Sequence, residues 1–171
     1  PIKIAEILPF QIEDQIPFEI DEVAICHRII PISSDEDQSK ILVGITQLNE
    51  ISNFLNDLDN IGLDIQKVVL CADILTYYCD STPSVILHIQ DQHITCALSF
   101  NRQCIDVKKV SIPPSLEGIL QRGKTPIAMV QSETNGVDDL TRLLLQIQNQ
   151  CIHFEDSYDI DIEKMYISGM I

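Results

Sequence analysis

Three apolar runs follow one another in "VILHIQDQHITCALSFNRQCIDVKKVSI", residues 85–112. They span Val85 to Gln90, His93 to Phe100 and Cys104 to Ile112, and only the short polar turns "QDQ" and "FNRQ" separate them. A parallel crossover needs a dozen or more residues, so connections this short leave only antiparallel neighbours. The segment therefore predicts a three-stranded meander. Pro113 and Pro114 end it, because proline offers no N–H to a ladder. Hydrophobic residues make up 45% of the 171 residues, enough to bury a core. Only 5% are aromatic, so that core is aliphatic.

The flanking sequence adds helices and further strands. Residues 3–15 read as a helix with Ile4, Ile7, Leu8, Ile12, Gln15 and Ile16 near one stripe. Pro9 is awkward in a helix interior, so the expected start is Leu8, with Pro9 in the first turn. Pro17 stops the helix. Val23–Pro31 alternates as a strand, residues 33–39 form a loop of hairpin length, and Lys40–Ile45 reads as a second, more fully buried strand. Thr46 is the expected N-cap of a helix carrying Leu48, Ile51, Leu55, Leu58 and Ile61, which Gly62 stops. Gln66–Cys71 reads as a third strand and Asp73–Tyr78 as a short helix. Asp80–Ser84, "DSTPS", is the expected linker. Beyond the meander, Ser115–Gln121 allows one or two helical turns. Val137–Cys151 is an amphipathic helix with Asp138 and Asp139 in its first turn. An acidic loop over residues 153–163 then leads to a strand, Lys164–Ile167. The fold class is α+β in two sub-domains. Residues 1–79 place a helix on a three-stranded sheet, with Leu48, Ile51, Leu55 and Leu58 facing it, and residues 84–171 form the second sub-domain.

The net charge of −15 repels nucleic-acid phosphates and anionic lipid, and suits a basic protein partner. The six cysteines form no CxxC pair, and most sit in apolar runs, so they are expected reduced and mostly buried, in a reducing compartment. No apolar run reaches the roughly 18 residues of a membrane span, and no signal-peptide pattern is present. Both ends look cut, so a fragment of a longer protein is expected. Cys26 and His27 are adjacent on a strand and diverge to opposite faces. His27, His88, His93 and His153 have no ligand spacing. "DSYDIDIE", residues 156–163, lacks the glycine of a calcium loop. There is no GxGxxG and no phosphate-binding P-loop. No catalytic, cofactor or metal residue is selected. What stands out is the acidic hinge around Pro17, made by Glu13, Asp14, Glu19, Asp21 and Glu22.

"IPFEIDEVAICHRI" resembles the "yIPF-x-(I/L)-x-EVVLD" passage of PilM-type proteins of type IV pilus assembly. "LPFQIED" equally resembles the "LP-x-x-LE(E/D)" passage of the type II secretion L protein, GspL. Both families are similar to the cell-division protein FtsA and to actin. "ILVGITQLNEISNFLNDLDNIGLDIQKVVLCADIL" looks like their strand, helix ending in "GL", and strand. "SVILHIQDQHITCALSFNRQCIDVKKVSI" and "LTRLLLQIQNQC…IEKMYISGM" look like the meander, long helix and "LSGG" strand of an actin-like, ribonuclease-H-like lobe. The resemblance spans nearly the whole sequence.

It departs from the family at the nucleotide contacts. The "DIG" turn of ATP-binding members falls on His88, Ile89 and Gln90. The glycine pair after the third strand falls on Pro113 and Pro114, and the second glycine of the last turn on Met170. The phosphate hairpin of the family's N-terminal lobe has no candidate. The resemblance thus implies a non-catalytic scaffold without cofactor or metal, cytoplasmic and held at the inner membrane within a larger complex. It would recruit the assembly ATPase to inner-membrane platform subunits, with no nucleic acid and no direct membrane insertion, and a homodimer stays open. The acidic hinge would face a basic partner surface. The alternatives are an actin-like ATPase or kinase whose other lobe lies outside the sequence, and a small-ligand or signalling module of unrelated ancestry.

Overall fold

The computed structural model of the protein describes residues 4–30, 40–116 and 134–169. It is a mixed α/β chain that divides into two compact units between Leu70 and Cys71.

The first unit opens with α1 (Ile4–Ile12), which buries Leu8 and Ile12. Pro9 sits inside this helix, so the start is at Ile4 and not at Leu8. A missing N–H costs one bond to the preceding turn, and a short helix with two buried anchors tolerates it. Two single 3-10 turns follow, Glu13–Gln15 and Ile20–Glu22. β1 (Val23–Ile29) then pairs antiparallel with β2 (Ile41–Gln47), from Val23 opposite Gln47 to Ile29 opposite Ile41. The expected hairpin loop, residues 33–39, lies outside the described residues.

α2 (Leu48–Asn60) starts directly after β2. Thr46, expected as its cap, is a strand residue; Gln47 occupies the cap position, without a side-chain cap bond. The helix ends as expected at Gly62, whose φ of 81° suits glycine. Gly62 N donates to Asp59 O at 2.8 Å and Leu63 N to Leu58 O at 3.0 Å, the paired bonds of a Schellman stop. No residue of α2 is fully buried: Ile51, Leu55 and Leu58 are half-buried, and Leu48 is 42% exposed. β2 is likewise only half-buried, against the expectation of a fully buried strand.

The third strand expected at Gln66–Cys71 does not form. Residues 63–70 carry no ladder, every one of them is exposed, and Cys71 already begins a helix. The apolar run has strand-forming composition, but it forms no ladder with either open edge of the β1–β2 ribbon. Among the described residues the sheet of this unit therefore has two strands, β1 and β2.

The second unit starts with α3 (Cys71–Thr76), which packs on the sheet that follows. That packing moves the division ahead of the "DSTPS" linker, so residues 71–79 belong with the second unit. The meander forms as β3 (Ser84–Ile89), β4 (His93–Phe100) and β5 (Gln103–Ser111). The chain then describes one short helical stretch at 114–116 and the long α4 (Thr134–Tyr158), before β6 (Lys164–Gly169) returns beside β3. The sheet order is β5-β4-β3-β6, with β3 and β6 parallel and the other pairs antiparallel.

At β3 and β4 this sheet is buried on both faces, whereas β6 at its edge leaves Met165 and Ile167 exposed. Cys79, just past α3, lies beside Ser99, whereas Cys151 of α4 lies near Cys96. Residues 96 and 99 of one strand point to opposite faces, so α3 and α4 cover opposite sides. Val85, Leu98 and Phe154 are wholly buried between these layers.

α4 runs further than its expected bounds at both ends. Its first turn is therefore Thr134–Val137, and Asp138 and Asp139 fall beyond it. Asp139 instead accepts from Ser115 Oγ at 2.6 Å and Arg142 at 3.4 Å. Residues 153–158, expected as an acidic loop, are its last turns, because Phe154 continues the buried stripe of Leu143 and Ile147. The Tyr158 hydroxyl anchors the end, donating to Ile105 O at 3.2 Å and Asp106 Oδ2 at 3.3 Å. Burial and the adjacent Asp106 push the pKa of that phenol well above its ordinary range.

All six cysteines are unbridged. Cys79, Cys96 and Cys104 are buried and Cys151 half-buried, but Cys26 and Cys71 are exposed, against the expectation of burial. Cys71 is exposed because it opens a helix instead of closing a buried strand. No described helix is long and apolar enough to cross a membrane.

Candidate functional site

The acidic hinge is built by the two 3-10 turns. Glu13 and Asp14 lie in the first. The chain then extends past Pro17 to Glu19, at φ −66° and ψ 144°, which leads into the second turn with Asp21 and Glu22. Glu22 N donates to Glu19 O at 3.0 Å and closes that turn. All five carboxylate residues are exposed, as side chains on tight polar turns must be to stay hydrated.

The β1–β2 register adds residues that the sequence left out. Val23 lies opposite Gln47, so the end of the hinge meets the start of α2. There Glu22, Gln47, Leu48 and Asn49 line a shallow pocket of about 210 Å³. The last three lie some 25 residues from Glu22 in the chain, and only the strand pairing brings them to it. The alternation of both strands was the available signal, but it does not state the register.

The second place of interest is the carboxyl end of the parallel pair β3 and β6, where open sheets commonly bind ligands. His88 and Ser168 lie opposite each other there, with His88 Nδ1 hydrogen-bonded to Ser168 Oγ at 2.9 Å. Gln90 makes bonds of its own: its N–H donates to His93 O at 2.9 Å, and its Oε1 accepts from Thr95 Oγ1 at 3.3 Å. Gly169 ends β6 at φ 143°, and a Cβ there would lie 2.4 Å from Ile89 O. This glycine therefore serves the close approach of two backbones. Pro113 accepts from Leu116 N at 2.8 Å in the turn after β5, and Pro114 likewise has no N–H to present. Met170 lies outside the described residues.

These residues do not fit a metal-bound nucleotide. Position 88 offers an imidazole already engaged with Ser168 in place of a carboxylate, and the proline pair cannot donate to phosphate. Among the described residues, no three His, Cys, Asp or Glu side chains gather in a way that could hold a metal ion.

What the geometry defines is a two-unit α/β protein with an exposed acidic turn and a four-stranded sheet that carries helices on both faces. No family model matches the sequence, and no curated protein matches it. Among solved structures the chain is similar to one described as a PilM–PilN type IV pilus biogenesis complex, with a TM-score of 0.65 at 16% identity. The match covers 98% of this chain, which spans only 55% of the length of the other. The chain thus has a PilM-like fold.

Proposed function

We propose that this chain is a non-catalytic scaffold of a type IV pilus or type II secretion machine. In this reading it sits at the cytoplasmic side of the inner membrane and recruits the assembly ATPase to platform subunits. The observation that carries it is the fold likeness over 98% of the chain to a protein solved within a PilM–PilN pilus biogenesis complex. The second unit would be an actin-like lobe: an antiparallel meander with a fourth strand parallel to its first suits that layout. The exposed hinge of Glu13, Asp14, Glu19, Asp21 and Glu22 would meet a basic partner face.

The competing reading is an actin-like ATPase or kinase whose remaining lobe lies outside this sequence. The open carboxyl end of the parallel β3–β6 pair favours it, since nucleotides bind at such ends. The imidazole at position 88, its bond to Ser168 and the proline pair weigh against it. Two measurements separate the readings. Pull-downs of the full-length protein against the pilus or secretion ATPase and the platform subunits of its own organism should retain at least one of them. Calorimetry with ATP and magnesium should give no heat at millimolar nucleotide. A micromolar dissociation constant would overturn the scaffold reading and establish the enzyme.

A further inference from the structure

We draw no further inference here: the strongest candidate, the run of exposed apolar side chains from Leu63 to Leu70 in the first unit, carries none because nothing in the structure shows what covers it.

Discussion

The two units are built from similarly apolar sequence and reach different degrees of burial. In the second, α3 and α4 pack on β4 and β5 of a four-stranded sheet, and Val85, Leu98 and Phe154 lose all contact with solvent. In the first, a two-stranded ribbon carries a helix with no fully buried residue, and residues 61–70 are exposed throughout. Two-stranded ribbons are marginal by themselves, whereas a sheet covered on both sides gives each apolar side chain a neighbour. Periodicity thus marks which residues could be core, and the number of layers decides which become core.

Hydrogen exchange should break or confirm this contrast most visibly. Amides of β3 and β4 should open only with global unfolding, typically about 5–15 kcal/mol, while those of residues 66–70 should exchange with almost no protection. Strong protection over residues 66–70 in the isolated chain would mean that a third strand forms after all.

Paired phenylalanine truncations test the same point in energy. Phe154→Ala removes a wholly buried ring from α4 and should cost about 3–5 kcal/mol in denaturant unfolding. Phe54→Ala removes a ring that is 59% exposed on α2 and should stay within about 0.5 kcal/mol. Equal losses would show that the α2 surface is covered in solution.

Thiol labelling sharpens the contrast through pH. Burial pushes the pKa of the Cys96 thiol up to about 11, from an ordinary value of 9.0. Since thiolate is the reactive form, that shift lowers its fraction at pH 8 by about 100-fold, before any hindrance of access. A thiol dye should therefore label Cys26 and Cys71 quickly and Cys96 slowly, with the rate at Cys96 rising until pH nears its pKa. Fast reaction at Cys96 near neutrality would place it outside a closed core.

The two positive-φ glycines among the described residues, Gly62 and Gly169, give smaller effects. Gly169→Ala would set a methyl against Ile89 O in an unfavourable backbone region and should cost about 2 kcal/mol or more. Gly62→Ala meets no atom within 4 Å, so only the left-handed strain of about 1 kcal/mol remains. Thermal unfolding of both variants measures the gap, and a reversed order would sink the argument from the close β3–β6 approach.

The smallest stability effect should come from the hinge. Glu19→Gln with Glu22→Gln alters two exposed side chains and should leave stability within about 0.5 kcal/mol. If the hinge docks a basic partner, the same double variant weakens binding, and wild-type binding weakens as salt rises. Pro17→Ala is the companion variant, since it changes the turn and leaves the charge alone. Unchanged binding by the Gln variant, together with failure of Pro17→Ala to fold, would make the hinge purely architectural.

Much was legible from the residues themselves. The meander followed from two short turns, the α2 stop from Gly62, and the helical character of residues 137–151 from spacing within a few turns. The histidine at position 88 was also visible, as a departure from the family that the sequence resembles. Each of these is local: a turn, a cap or a stripe is encoded within the residues that form it. Tertiary structure decided the rest. Residues 66–70 have the composition of a strand yet form no ladder with either edge of the β1–β2 ribbon, and α4 gained two turns because Phe154 and Tyr158 found the sheet. Gln47, Leu48 and Asn49 joined the hinge through a register, and His88 met Ser168 across 80 residues through a parallel pairing. Ladders and burial depend on what lies opposite, and no window of sequence contains both partners.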